Sequence, residues 1–448
     1  MTPTPITWAM PGRIEVLGKH TDYGGGRVLV CAVDRGITVR AEETTGPPGT
    51  LEAVSDAYPG ALQLDAHTPP TLPAGHWGRY VHTVLARLTD NFGPLRPARL
   101  TVSSDLPPAS GMSSSSAMIT GAAMALADLN SLPTTEAWSA QLPDRMSLAG
   151  YAASIENGKS FGRLAGRPGV GTSGGSLDHT GMLASQEGQI SYAEFDPMRL
   201  IDRVPLPGEW SFVVAVSGVL AEKTGTAQEL YNRGPALLAT LVERWNRASG
   251  RADATVQAAL RSLVGEDLEN PLLPGVDLAM PSQDAGGPAP SLPTGGPLTA
   301  SPLAADERLA PLRRLAAEGV ERDRLDQFLL ESAVLVPRAH AALRDGDLEA
   351  FAAATATSQR LAETHLRNQV SQTVSLVETA DALGARAASA FGAGFGGSVW
   401  ALVPTADAEG FAAAWREHYL RTEGAPETAS TLVTRPGAPG RRVDPARI

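Results

Sequence analysis

LPPASGMSSSSAMITGAAMALADL, residues 106–129, sets the order strand, tight loop, helix. The alternating run Leu100-Thr-Val102-Ser before it reads as a strand. Two prolines and Gly111 then make a small-residue turn, and Ser113, Ser114, Ser115 and Ser116 follow in a row. From Ile119 the apolar residues Ala122, Ala123, Leu126 and Leu129 fall at helical spacing, and Asn130 with Pro133 marks the stop. Hydroxyls are thus crowded onto a helix N-terminus, where free backbone N–H groups and the helix dipole favour an anion. Gly111 lets a phosphate come close to the backbone, and serine hydroxyls can bond its oxygens or reach a magnesium ion. A serine-rich cap on an ordinary core helix fits the same letters.

The whole chain narrows the choice. At 448 residues it can bury a large core and is expected to hold two domains. Its net charge of −11, with no Lys/Arg cluster, argues against a nucleic-acid partner. A single cysteine, Cys31, excludes a disulfide framework and a Cys-rich zinc site. The first residues, MTPTPITWAMPGRI, lack the basic and apolar regions of a signal peptide, and no apolar run is long enough to span a membrane. The expectation is a cytoplasmic protein without a membrane partner. Lysine occurs only as Lys19, Lys159 and Lys223.

Taken in order, residues 7–41 read as strands, with Asp34-Arg-Gly36 as a turn between two of them. GKHTDYGGG, residues 18–26, packs Gly, His and Asp into a loop between strands. It is not a P-loop: His20, not Ser or Thr, follows the lysine, and a strand rather than a helix comes next. Residues 76–88, HWGRYVHTVLARL, start a helix in which Trp77 and Tyr80 have the spacing of core residues. The helical run 148–156 opens into a glycine-rich loop, and Asp178 and His179 follow on its far side. An Asp-His pair alone usually marks a turn or cap.

WSFVVAVSGV, residues 210–219, reads as the buried strand that opens a second half. Residues 270–302 are rich in Pro, Gly and Ser without periodicity and are expected to form a long surface loop. Helices resume at 308–315, 322–337 and 339–380, the last broken at Asp345-Gly-Asp347. FGAGFGGSVWALVP, residues 391–404, is a glycine-rich loop entering a strand, and the polar tail from about Ala425 is expected to fray. Strands and helices mix without βαβ alternation, which predicts an α+β fold in two domains, 1–208 and 209–448, the second carrying the 270–302 insertion.

Three of these stretches together resemble the GHMP small-molecule kinases, most closely the galactokinases. PGRIEVLGKHTDYGGGRVL (11–29) is similar to the galactokinase signature, LPPASGMSSSSA (106–117) to the phosphate loop, and FGAGFGGSVWALV (391–403) to the C-terminal glycine motif beside that loop. The likeness runs in order from Pro11 to Val403. It implies a two-domain GHMP kinase fold with the active site in the cleft between the domains.

The resemblance also implies roles. Asp178 would be the catalytic aspartate and Arg13 its partner. Gly111 and Ser113, Ser114, Ser115 and Ser116 would hold the phosphates of ATP, with Ser115 and Glu156 on Mg²⁺. His20, Asp22, Gly175 and Tyr231 would hold the hydroxyls of a monosaccharide, and Trp77 and Tyr80 would lie near the adenine. The chain departs from the family at three positions: Lys19 replaces a glutamate, Gly174-Gly175 a Cys-Gly, and His179 a glutamine. The interval from Glu156 to Asp178 is also longer.

A lysine at position 19 donates where the family's acid accepts. Lys19 therefore either meets an anionic substrate group, such as the carboxylate of a uronic acid, or turns outward to solvent with galactose still bound. The expected function is an ATP-dependent kinase for a hydroxyl of galactose or a related sugar. The alternatives are a non-catalytic sugar- and ATP-binding regulator and a kinase for an acidic sugar.

Overall fold

A computed structural model describes residues 4–108, 110–219, 226–266, 302–422 and 424–444. Lys223 and nearly all of the 270–302 stretch lie outside the described residues.

The larger sheet is built from β1 (Ile6–Leu17), β2 (Arg27–Glu43), β3 (Thr50–Ser55), β4 (Tyr58–Asp65), β5 (Ala98–Ser104), β6 (Gln189–Phe195) and β7 (Met198–Pro205). A second, antiparallel sheet holds β8 (Trp210–Val216), β9 (Ala387–Phe391), β10 (Ser398–Pro404) and β11 (Ser430–Thr434), in the order β11-β8-β10-β9. The last strand, β12 (Arg441–Val443), returns to the first sheet and pairs with Thr7–Ala9 of β1.

The expected turn at Asp34-Arg-Gly36 is a bulge in one continuous strand. Pro11 pairs with Gly36 and Arg13 with Ala32, so the register shift absorbs the extra residues of β2. Gly36 is pressed so close to the Met10 carbonyl that a Cβ would sit 2.1 Å from its oxygen. The long strand then serves two partners, β6 along 27–30 and β5 along 37–43.

Among the described residues the tail, up to Asp444, is paired rather than frayed. Main-chain pairing needs no apolar pattern, and this segment obtains it in β11 and β12. Gly440 N–H donates to the Met182 carbonyl at 2.8 Å. The Arg435 guanidinium gathers the carbonyls of Leu206, Pro207 and Trp210.

The helix Ser114–Leu129 lies against β1 and β2 and is buried on almost every side. Its alanines and Gly121 allow the close approach: a Cβ on Gly121 would meet Val39 at 2.8 Å. In the second half, the helix Val320–Leu330 passes through a π-turn, Glu331–Leu335, into Val336–Asp345. The expected break is present, with Gly346 left-handed at φ 73° and Asp347 capping the helix Leu348–Leu361 through its bonds from the Glu349 and Ala350 N–H groups. A further break at Arg367 (φ 53°) precedes the helix Ser371–Ala382. Among the described residues no helix is long and apolar enough to cross a membrane.

Candidate active site

One cavity of about 990 Å³ gathers the residues singled out above. Its walls include Arg13, His20, Asp22, Tyr231, Gly175 and Asp178 and also Gly111, Ser113, Ser114, Ser115, Glu156, Trp77 and Tyr80. Lys19, Ser116 and Lys159 are not among its walls, whereas Glu15 is.

At the centre, Arg13 leaves β1 and Asp178 stands in the first turn of the short helix Leu177–Leu183. Arg13 Nε donates to Asp178 Oδ1 at 2.7 Å, and Nη2 lies 2.7 Å from the same oxygen. Its remaining arm, Nη1, donates to the Gly111 carbonyl at 2.7 Å. One guanidinium, only 3% exposed, therefore fixes the carboxylate and the loop before the buried helix together. On the other oxygen, Asp178 Oδ2 accepts from Ser113 Oγ at 2.5 Å.

That last bond bears on the serine run. Ser113 occupies the N-cap position at φ 59° but gives no side-chain bond to the first turn, because its hydroxyl is turned to Asp178. The helix N-terminus is left without a side-chain cap, and Ser114 and Ser115 open onto the cavity there. Ser116 does not join them. It is fully buried, and its Oγ donates to Glu156 Oε2 at 2.7 Å, with Asp178 Oδ2 at 3.4 Å. The helical turn points it inward, so it braces two carboxylates instead of facing a phosphate. His179, 2% exposed, lies 3.3 Å from the same Glu156 oxygen.

The glycine-rich segment after β9 backs onto this loop. A Cβ on Gly392 would sit 3.1 Å from the Gly111 carbonyl oxygen, and Ser398 Oγ donates to the Ser110 carbonyl at 2.5 Å. Gly111 itself is left-handed, φ 63°.

On the opposite wall, Asp22 Oδ2 accepts from Leu177 N–H at 3.2 Å. A Cβ on Gly175 would lie 2.5 Å from that oxygen, so glycine there is a condition of the wall. Burial raises the Asp22 carboxyl, backbone N–H bonds oppose the rise, and the nearby Asp178 charge adds to it. Burial first, and then the charge of Asp22, lifts the Tyr231 hydroxyl well above its usual range.

His20, left-handed at φ 57°, lines this wall, but its nitrogens are committed: Nδ1 to Tyr23 OH at 3.1 Å and Nε2 to the Ala393 carbonyl at 3.2 Å. Burial, seconded by Arg324, pushes its pKa down to about 4, so the ring is neutral near pH 7. It joins the 18–26 loop to the glycine segment rather than offering a free nitrogen to a hydroxyl.

Lys19 departs from both readings of its position. It faces neither an anionic ligand nor solvent: it is 2% exposed, and its Nζ donates to Ser358 Oγ at 2.8 Å and Ser389 Oγ at 2.7 Å. The chain turns left-handed at Gly18 and again at His20, which sends the lysine into the protein body while Asp22 returns to the cavity. Lys19 therefore offers no ammonium to the carboxylate of an acidic sugar. Lys159 is exposed to solvent and does not line the cavity.

Glu15 had not been singled out, although a charged residue between the buried Ile14 and Val16 was a visible signal. It lines the cavity at 4% exposure, and its Oε1 has no hydrogen-bond partner among the described residues. Burial, opposed mainly by Arg13, raises its pKa from 4.5 to about 8. Between pH 4.5 and about 8 the folded chain then keeps a proton that the unfolded chain has already released. The resulting stabilisation is complete below pH 4.5 and is lost as pH rises through about 8. Glu15→Gln should therefore gain in Tm relative to wild type as pH is raised across this window. Parallel Tm curves for the two proteins would exclude a buried neutral carboxyl.

The model of the GHMP kinases N terminal domain matches residues 79–163, and that of the GHMP kinases C terminal matches residues 339–420. The galactokinase galactose-binding signature matches residues 2–42. A galactokinase of Chloroflexus aurantiacus is 28% identical over 276 residues, 61% of this chain and 64% of that protein. One of Actinobacillus pleuropneumoniae is 26% identical over 211 residues, 47% of this chain and 49% of its own length. The chain thus spans about half the length of several curated relatives it matches. The structure of Lactococcus lactis galactokinase complexed with galactose superposes with a TM-score of 0.74 at 19% identity, covering 99% of this chain and 96% of that one. An L. major mevalonate kinase in complex with R-mevalonate reaches 0.51 at 16% identity, covering 96% of each. The fold is that of the two-domain GHMP kinases, with mixed helix and sheet.

Proposed function

We infer from the fact that this chain belongs to the GHMP kinase superfamily, with the galactokinase signature at its head, that it is a sugar kinase. It transfers the terminal phosphoryl group of ATP to a hydroxyl of a monosaccharide, galactose or a related neutral sugar. The observation that carries this reading is the Asp178 carboxylate, held between Arg13 and Ser113 directly beside the uncapped start of the helix Ser114–Leu129. A requirement for ATP suits the cytoplasm.

Phosphoryl transfer asks mainly for positioning and charge neutralisation. The first-turn N–H groups of the helix, the hydroxyls of Ser114 and Ser115, and Gly111 hold the phosphates. Trp77 and Tyr80 border the adenine end of the cavity. Asp22, Gly175 and Tyr231 hold the sugar, and Asp178 orients its hydroxyl and receives the proton as transfer proceeds. Ser115 and Glu156 offer a hydroxyl and a carboxylate, a donor set that fits Mg²⁺, which needs few protein oxygens when phosphates and water supply the rest. When bound, Mg²⁺ neutralises charge on the phosphates. Arg13 adds the fixed positive charge of the protein itself.

The test is ADP release measured across galactose, other hexoses, pentoses and uronic acids. Turnover of galactose or a related neutral sugar is expected. Sugar and ATP binding without ADP release would mean a regulator, and turnover of uronic acids alone would overturn the neutral-sugar assignment.

The phosphate loop has its own test. An L-residue at Gly111 must adopt φ 63°, although the nearest atoms, at 3.6 Å, leave room for a Cβ. The penalty of about 1–2 kcal/mol is conformational and is worse for a β-branched side chain. Gly111→Val should weaken ATP binding about tenfold or more, while Gly111→Asn, which tolerates that backbone, loses less. Equal affinities by calorimetry would show that the serine run is only a helix start.

A further inference from the structure

The buried ammonium of Lys19 is absorbed by no step above, and its partners come from distant parts of the chain. We propose that Lys19 is a positioning residue that clamps the sugar-facing loop, residues 18–26, to the second half of the protein and so sets the distance between Asp22 and the glycine segment beside the phosphate loop. The inference rests on the sugar-kinase reading.

Its geometry is a single connected network. Nζ reaches Ser389 on β9 and Ser358 on the helix Leu348–Leu361. Ser358 Oγ donates to Glu331 Oε1 at 2.7 Å, and the same oxygen accepts from the Gly18 and Lys19 N–H groups at 2.9 and 3.2 Å. Gln327 Nε2 donates to the Lys19 carbonyl at 3.0 Å. Gln359 Oε1 accepts from Ser389 Oγ at 3.2 Å and Ala390 N–H at 3.0 Å.

Both ends of this network lead into the cavity. On one side the chain continues from Lys19 to His20 and Asp22. On the other, β9 continues from Ser389 to Phe391 and Gly392, which line the same cavity. Burying a cation is costly unless its bonds are well made, and here they are made to elements that must keep a mutual register. Small misplacements of a bound reactant lose large factors in rate, so a clamp at this point acts on the sugar without touching it.

Lys19→Met keeps the length of the side chain and removes its donors, and Ser389→Ala removes one partner should Lys19→Met fail to fold. Hydrogen exchange of the 18–26 amides is read in the ligand-free full-length protein, and steady-state kinetics separate the sugar from ATP. Exchange in that loop should accelerate about tenfold or more, and KM for the sugar should rise about tenfold with KM for ATP unchanged. Ser389→Ala should shift both readings in the same direction by less.

Unchanged loop exchange overturns the proposal. So does faster exchange with an unaltered sugar KM, which would make the network a matter of stability alone. Loss confined to an anionic sugar would mean that the ammonium reaches substrate, and it also overturns the clamp. If wild type turns over no sugar, the sugar-kinase reading fails, and the clamp stands or falls on the exchange result.

Discussion

Asp178→Asn is expected to lower kcat by about 10²- to 10⁴-fold while ATP affinity stays within about twofold. The amide keeps the size of the carboxylate but cannot receive a proton from a sugar hydroxyl. It also leaves the Arg13 guanidinium, 3% exposed, without the anion that now takes two of its nitrogens. Some loss of Tm accompanies the loss of turnover, since removing the carboxylate leaves the buried guanidinium without its anion. The two effects separate by measurement: kcat on folded protein reports the chemistry, and ATP binding by calorimetry reports the phosphate side. Near-wild-type kcat would remove Asp178 from the centre of the mechanism.

Arg13→Met is expected to cost about 10²- to 10³-fold in kcat/KM, the scale of losing a fixed donor to developing charge. The residue does three things at once. It holds Asp178 Oδ1 from Nε and Nη2, holds the Gly111 carbonyl from Nη1, and places its Cζ 5.8 Å from the centre of the Phe391 ring. Arg13→Lys keeps the charge but loses the planar fork, because one ammonium is a point charge and cannot hold the carboxylate and the carbonyl in the same arrangement. Only part of the rate should therefore return with lysine. Full recovery would show that charge alone matters at this position and that the bond to Gly111 is incidental.

The signals that were legible in the chain are short-range ones. The order strand, loop, helix around Gly111, the helix break at Gly346-Asp347 and the glycine segment after Phe391 depend on the φ preferences of glycine and on the spacing of apolar residues, which neighbours in sequence settle. Three motifs in the order of a known family then pointed to the α+β kinase fold and to Arg13 and Asp178. A turn and a bulge share the same residues at Asp34–Gly36, and only the partner strand β1 decides between them. The strands of the tail are not legible in its letters because β11 and β12 are held chiefly by main-chain bonds, which leave little hydrophobic pattern.

What the sequence alone determined, then, was the order strand, loop, helix around Gly111, while its likeness to a known family pointed to the class of fold and to Arg13 and Asp178. The tertiary structure decided which way each side chain faces. It turned Ser116 inward to Glu156, committed both nitrogens of His20, exposed Glu15 to the cavity, and took Lys19 out of it. Lys19 and Ser389 are 370 positions apart. The letters around Lys19 are compatible with a ligand, with solvent or with a buried partner. Folding selects among these by the cost of burying a charge, and that cost depends on donors and acceptors that no local stretch contains.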